Sequence, residues 1–570
     1  MDLTASQIAT FIAIGFQTYR RHFQSSTRRA AARFESRDWV AIRRDNLERR
    51  DAYEVALDAT IQSIADAGYE MEDRATWSAA RTLYRAEQAD DPFQEIAETF
   101  FNSVARRLFG TEGIDPQLEF LAPAPEAAAT TARPMLRFYE QPSDVRSLLE
   151  ELLRDCRFHA SWEDRHGDLD AAEDLMPSVP DRVEVVGQLF YRGKGAYLVG
   201  RMYHGENETP FALAIRHRRS GLALGAVLVG EEDMAILFSF TRADFLVSVD
   251  VPRVLVAFLS ELLPWRKEAE IYSSIGFRKQ AKTERYRDLA MYLGSSKDSF
   301  EYTPGIPGLV MIVFTLVGYD VVFKVIRDHF PPQKDVTPHE VERKYRLVAR
   351  HDRAGRLVEA QRFIDLRLPQ GRFDRDVLEE LTSDASRTVS VSDGQVLFKN
   401  IYVERRVVPL DIYLKQADEA DAERAIVGYG TAIKNLAATN IFPGDMLLKN
   451  FGVTARGRIV FYDYDEISDL TDLRFRRFPE MDDSHDVLSS TPSFGVGPKD
   501  VFPEELPRFL GLSKELRAAF DARHADLFDV EFWVGVQGRL EAGEIIEILP
   551  YRRARVLQLA EDGRRETGRR

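Results

Sequence analysis

The segment between residues 442 and 465 constrains the fold more than any other part of the chain. Phe442-Pro443-Gly444-Asp445 opens a turn, Met446-Leu447-Leu448-Lys449 leads to Asn450, and the apolar run Gly457-Arg458-Ile459-Val460-Phe461-Tyr462 ends on Asp463-Tyr464-Asp465. The run reads as one strand of a short hairpin leaving the loop. A hairpin there doubles the chain back, so that Asp445, Asn450 and Asp463 converge. Any fold for this chain has to be built around that convergence.

An Asp followed by an Asn five positions later, with a second Asp at the end of a following strand, is the spacing of a kinase catalytic loop. In that arrangement Asp445 orients a hydroxyl nucleophile and accepts its proton, while Asn450 and Asp463 bind Mg²⁺ through hard oxygen atoms. Pro-Gly-Asp is by itself an ordinary turn and Asp465 an ordinary solvated acid. Beside Asp463, however, Asp465 could hold a second ion or position a water, which suggests hydrolysis of a phosphoprotein in the same site. The ordered set carries more weight than its members. Upstream, Lys324 lies 16 residues after Gly308 on the strand-like Val321-Val322-Phe323-Lys324-Val325-Ile326, where it would contact the ATP α- and β-phosphates. Lys alternating with apolar residues is also normal strand patterning. The preceding Pro304-Gly305-Ile306-Pro307-Gly308 is neither Gly-x-Gly-x-x-Gly nor a Walker motif, and each proline removes one N–H donor. Pro443-Gly444 stands where kinases carry His-Arg, and Asp463-Tyr464-Asp465 where they carry Asp-Phe-Gly.

At 570 residues the chain is long enough for two to four domains. Residues 4–110 show helical periodicity, as in Ile8, Phe11, Ile12 and Phe16, and residues 116–134 read as a Pro/Ala-rich loop. A helix is expected over 143–157. Between Arg182 and Val251, short Val/Leu/Phe/Tyr-rich segments, including Phe245-Leu246-Val247-Ser248-Val249, predict an antiparallel sheet, followed by a helix over 252–263. A second unit is expected from Glu301, giving a regulatory domain over 1–300 and a catalytic domain over 301–570. Within it a charged helix is predicted over 338–355, a strand over 395–403, a helix ending near Thr439, and helices from Glu504 onward. The formal charge of −15, from 92 acidic and 77 basic residues, disfavours a nucleic-acid partner. Arg43, Arg44, Arg49 and Arg50 read as a solvated helix face. The single cysteine, Cys156, excludes an intrachain disulfide framework. No apolar stretch is long enough for a membrane span, which leads to the expectation of a cytoplasmic protein with no membrane partner.

Over nearly its whole length the chain resembles the isocitrate dehydrogenase kinase/phosphatase family. The likeness is carried by Phe93-Gln94-Glu95-Ile96-Ala97-Glu98-Thr99-Phe100-Phe101-Asn102-Ser103-Val104, by residues 304–324 and 404–410, and above all by residues 441–466. The resemblance implies an α+β architecture, a bilobal protein-kinase-like catalytic domain preceded by a mostly helical regulatory domain with an antiparallel sheet. It implies a serine kinase and phosphatase acting on isocitrate dehydrogenase, directing flux between the tricarboxylic acid cycle and the glyoxylate bypass. ATP and Mg²⁺ would be its cofactors and AMP an allosteric effector. On matched positions, Thr303, Pro304, Gly305, Ile306, Pro307, Gly308, Leu309 and Lys324 are implied to bind ATP, Asp445 to be the catalytic Asp, and Asn450 and Asp463 the metal ligands. Asp465 is a candidate for the phosphatase step. The family pattern carries an active-site Asp where this chain has Glu359, a charge displaced by about one methylene. A homodimer and a monomer both stay open. Two other readings remain: a small-molecule kinase of the aminoglycoside or choline type, which has little need of so long an N-terminal region, and a nucleotide-sensing pseudokinase, which the intact Lys324, Asp445, Asn450 and Asp463 argue against.

Overall fold

The structure, a computed structural model, describes residues 4–68, 73–121, 135–176, 178–239, 244–305, 307–332, 334, 336–351, 353–477, 495–551 and 557. The chain divides into two units, Met1–Ser295 with Leu549–Arg570, and Ser296–Ile548.

The first unit begins with the helices Ala5–Glu35, Trp39–Asp66, Arg74–Glu87 and Gln94–Phe109. Thr4 starts the first of them with a capping box: its hydroxyl accepts from the Gln7 N–H at 3.3 Å, and the Gln7 side chain accepts from the Thr4 N–H at 2.9 Å. Ile8, Ile12, Phe16, Tyr19 and Phe23 form its buried stripe, and Tyr19 packs edge-on against Tyr53 of the second helix with ring centroids 5.0 Å apart.

A six-stranded antiparallel sheet follows, in the order Leu136–Glu140, Arg182–Val186, Gly195–His204, Asn207–His217, Leu222–Val229, with Phe190–Arg192 also pairing to Gly195–His204. Its strands read as near-continuous apolar runs because both faces are covered. Tyr197, Val199, Ala212 and Ala214 point into one core, whereas Ala196, Leu198, Leu213 and Ile215 point into another. Two expectations need correction here. Phe245–Val249 forms only an isolated bridge, Leu246 with Tyr191, and not a strand. Arg49 is not on a solvated face. It is 3% exposed, donates to the Phe245 carbonyl at 3.0 Å, lies 3.6 Å from buried Asp244, and sits 5.0 Å from the centroid of the Phe23 ring. A helical charge pattern cannot show that a distant loop brings a carboxylate to one of its members.

The second unit opens with a five-stranded antiparallel sheet in the order Gln361–Phe363, Ile401–Arg405, Val321–Ile326, Met311–Leu316, Phe300–Tyr302. Helix Pro338–His351 begins at a second capping box, Thr337 with Glu340. The run expected as one strand over 395–403 is two: Gln395–Phe398, in a small three-stranded sheet, and Ile401–Arg405. Beyond it the unit is mainly helical, with Glu419–Ala437, Lys514–His524 and Val530–Glu541 packed around Tyr429, Phe451, Phe461 and Trp533. Among the described residues no helix is long and apolar enough to cross a membrane.

Candidate functional site

Phe451–Val453 and Ile459–Phe461 pair antiparallel in register Phe451↔Phe461, which is the hairpin expected from the sequence. On the entering side, Gly444 has φ +77°, and a Cβ there would lie 2.5 Å from the Glu466 carbonyl oxygen. Only glycine allows the backbone of this loop to approach so closely. The turn sets Asp445 half-buried, with its carbonyl accepting from the Asn450 side-chain nitrogen at 3.0 Å. That bond orients the amide and leaves its oxygen as the atom that could accept a cation. The hydroxyl of buried Tyr429 donates to the Met446 carbonyl at 2.5 Å and anchors the loop from beneath.

Lys324 is 6% exposed, so it is not a solvated edge residue. Tyr402 faces it directly on the neighbouring strand and Val322 faces Glu404, which puts Glu404 on the same sheet face at the diagonal position. The ammonium lies 2.8 Å from Glu404 Oε2 and donates to the Tyr462 carbonyl at 2.8 Å. Lys324 is thereby joined to the backbone immediately before Asp463. The partner carboxylate comes from a strand, although helix Pro338–His351 carries Glu340 and Glu342.

Asp463 and Asp465 hydrogen-bond to each other through their side chains. Burial, and then the neighbouring Asp465, push the Asp463 carboxyl above the usual carboxylate range. Burial also works against ionisation of Asp465, but the hydrogen bond from Asp463 and the Lys334 ammonium outweigh it and hold Asp465 low. Lys334 reaches Asp465 Oδ2 at 2.9 Å and also pairs with Glu466. Lys344, on the capped helix, donates to the Asp465 carbonyl. Burial, with the Glu466 carboxylate next in effect, raises Asp445 as well. Such crowding of acids is what a divalent cation relieves. Among the described residues no three His, Cys, Asp or Glu side chains form a metal-holding group. The Asp463 and Asp465 carboxyls and the Asn450 amide oxygen are hard oxygen donors of the kind that Mg²⁺ takes together with waters and substrate oxygens.

Thr303, Pro304, Gly305, Pro307, Gly308 and Leu309 lie on the connection between the paired strands Phe300–Tyr302 and Met311–Leu316; Ile306 lies outside the described residues. Pro304, Gly305, Pro307 and Leu309 are exposed. Gly308 is held where a Cβ would lie 2.6 Å from the Met311 carbonyl. Among the described residues of this loop, none makes a hydrogen bond to Asp445, Asn450 or Asp463. Glu359 is buried at 8% exposure, one residue beyond Val358, whose N–H donates to Phe461 at 3.1 Å and whose carbonyl accepts from the Tyr464 hydroxyl at 2.5 Å. Its backbone therefore runs beside the strand that ends in Asp463. Sequence reasoning missed Glu404, Lys334 and Lys344 as members of this cluster. Glu404 could have been noticed as the lone acid following Ile401-Tyr402-Val403; the two lysines carry no local signal.

Residues 298–553 match the family described as "Isocitrate dehydrogenase kinase/phosphatase (AceK) kinase domain", and residues 9–297 match its "regulatory domain". Proteins named isocitrate dehydrogenase kinase/phosphatase are 45% identical in an Anaeromyxobacter species (strain Fw109-5), covering 97% of both chains. The counterpart in Anaeromyxobacter dehalogenans is 44% identical over 97% of this chain and 98% of its own. One from a Polaromonas species is 39% identical over 96% of this chain and 93% of its own. With both domains matched along the chain, this protein belongs to the isocitrate dehydrogenase kinase/phosphatase family.

Proposed function

We propose that the protein is an ATP- and Mg²⁺-dependent serine kinase of isocitrate dehydrogenase that also removes the phosphate it adds, and that its second unit is a bilobal kinase-like domain with the nucleotide held between sheet and helices. The observation that carries this reading is the buried Lys324–Glu404 pair, tied through the Tyr462 carbonyl to the segment bearing Asp463. A buried lysine held by a carboxylate beside two acids is arranged to receive phosphate oxygens.

In the forward direction Asp445 receives the proton of the attacking serine hydroxyl as the new P–O bond forms and the bond to the ADP oxygen breaks. Its raised pKa makes it a better base. Lys324 would hold the α- and β-phosphates, residues 303–309 would cover them, and Asn450 and Asp463 would hold the Mg²⁺ that accompanies ATP, which would supply positive charge to neutralise that developing on the phosphoryl group. In the hydrolytic direction Asp465, fixed by Lys334, positions a water whose oxygen bonds to phosphorus as the bond to the serine oxygen breaks; inorganic phosphate leaves and the proton given up by the water passes to the serine oxygen, while Glu359 takes the position of the family's active-site Asp. AMP as an effector, control of the glyoxylate bypass and a cytoplasmic location belong to the same reading.

Purified protein with Mg-ATP is expected to label a serine of isocitrate dehydrogenase, and Asp463→Ala to abolish labelling. ATP binding without labelling would instead favour a nucleotide-sensing pseudokinase. Phosphate release from prelabelled substrate, compared among wild type, Asp465→Ala and Glu359→Asp, tests the second activity. Equal loss of both activities in Asp465→Ala defeats its separate role.

A further inference from the structure

A cavity of about 200 Å³ opens beside Asp445, within the second unit. It is lined by the loop Gly444 through Leu447 and by an apolar wall that includes Leu506, Phe509 and Phe528. Asp445 is the only carboxylate among the described residues that line it. The Tyr429 hydroxyl, the other ionisable group there, is already committed to the Met446 carbonyl. Phe509 is 63% exposed at the rim. An apolar cavity of about 150 Å³ takes up a benzene-sized group, so this one has room for a single large side chain.

Its position limits what can enter. A hydroxyl presented to Asp445 by a polypeptide carries neighbouring residues with it, and successive Cα atoms are only about 3.8 Å apart. The side chain one or two positions from that serine therefore falls beside the loop that forms the pocket wall. A small-molecule acceptor would leave the apolar wall and the exposed Phe509 uncovered. We infer that this pocket seats an apolar side chain one or two residues from the phosphoacceptor serine of the protein substrate, making Leu506, Phe509 and Phe528 specificity-determining residues. The inference rests on the reading that Asp445 receives a seryl hydroxyl.

Steady-state phosphorylation of intact isocitrate dehydrogenase by full-length wild type, Phe509→Ser and Leu506→Ser tests it. Both variants are expected to raise KM for the protein substrate at least tenfold with kcat changed less than threefold, and to bind a fluorescent ATP analogue like wild type. Once the labelled serine is mapped, replacing its apolar neighbour in the substrate by Ser should raise KM for wild type but add nothing further in Phe509→Ser. Unchanged KM in both variants overturns the inference, as does full additivity with the substrate change. Unchanged KM with an altered sedimentation coefficient assigns the pocket to a second copy of the chain and equally overturns it. Failure of wild type to label the substrate at all defeats the parent reading and this inference with it, and is distinguishable because no variant enters that result.

Discussion

Replacing Lys324 by Met removes the ammonium while keeping most of the side-chain volume. The side chains of Lys324 and Glu404 are 8% and 2% exposed and their charged atoms 2.8 Å apart. At an effective dielectric constant near 20 their attraction is about 6 kcal/mol, most of it offset by the desolvation of two ions. The intact pair therefore adds little net stability, but the single substitution strands a buried carboxylate and costs about 3–5 kcal/mol. Roughly 1.5 kcal/mol of that is the lost charged hydrogen bond to the Tyr462 carbonyl. The remainder should return when Glu404 is neutralised too. Lys324→Met is thus expected to speed amide exchange of strand Val321–Ile326 by two to three and a half decades, at about 1.4 kcal/mol per decade. Lys324→Met/Glu404→Gln should recover more than half of the loss while still failing to bind nucleotide. Hydrogen exchange by mass spectrometry on the full-length protein reads this strand separately from the first unit. Exchange in the single variant within threefold of wild type, or a double variant no better than the single, would show that the two charges are not energetically coupled and refute the reasoning.

Gly444→Ala should lower kcat by about a hundredfold, since the close approach to the Glu466 carbonyl forces a shift at the residue before Asp445; KM for ATP, measured alongside, should change little. Asp463→Asn should raise the Mg²⁺ requirement of nucleotide binding by at least tenfold, read by titrating a fluorescent ATP analogue at fixed protein, and an unchanged requirement would remove Asp463 from the ligand set. Glu95, beside the Tyr272 hydroxyl, is pushed up to about 7 mainly by burial. Its folded value lies above the unfolded one, so the first unit should lose stability as pH rises from about 4.5 to 7, by about 3 kcal/mol in all. Glu95→Gln should flatten that slope in urea unfolding monitored at several pH values; an unaltered slope would assign the titration elsewhere.

How much was legible depended on the distance over which each feature is encoded. Helix starts at Thr4 and Thr337 need only a residue and its third neighbour, and the hairpin Phe451–Phe461 needs only a loop between two apolar runs. Helix Pro338–His351 and strand Val321–Ile326 are likewise visible in local periodicity. The failures follow the same rule. The Phe245–Val249 run has strand composition but meets no partner beyond one bridge, and Arg49 is patterned like a surface residue until Asp244 arrives from a distant loop.

The sequence alone determined that Asp445, Asn450 and Asp463 occur in the order and spacing of a phosphoryl-transfer loop, that a lysine strand precedes them, and which family the long strings resemble. Tertiary structure decided what each group faces. Register across two strands, Tyr402 against Lys324, selected Glu404 as the lysine's partner, and packing of the capped helix and the loop bearing Lys334 set two ammonium groups on Asp465 and its neighbours. Spacing is covalent and local, so it can be read along the chain. Burial and ion pairing depend on contacts between segments 80 to 140 residues apart, where a side chain's free energy is settled by groups that local patterning does not register.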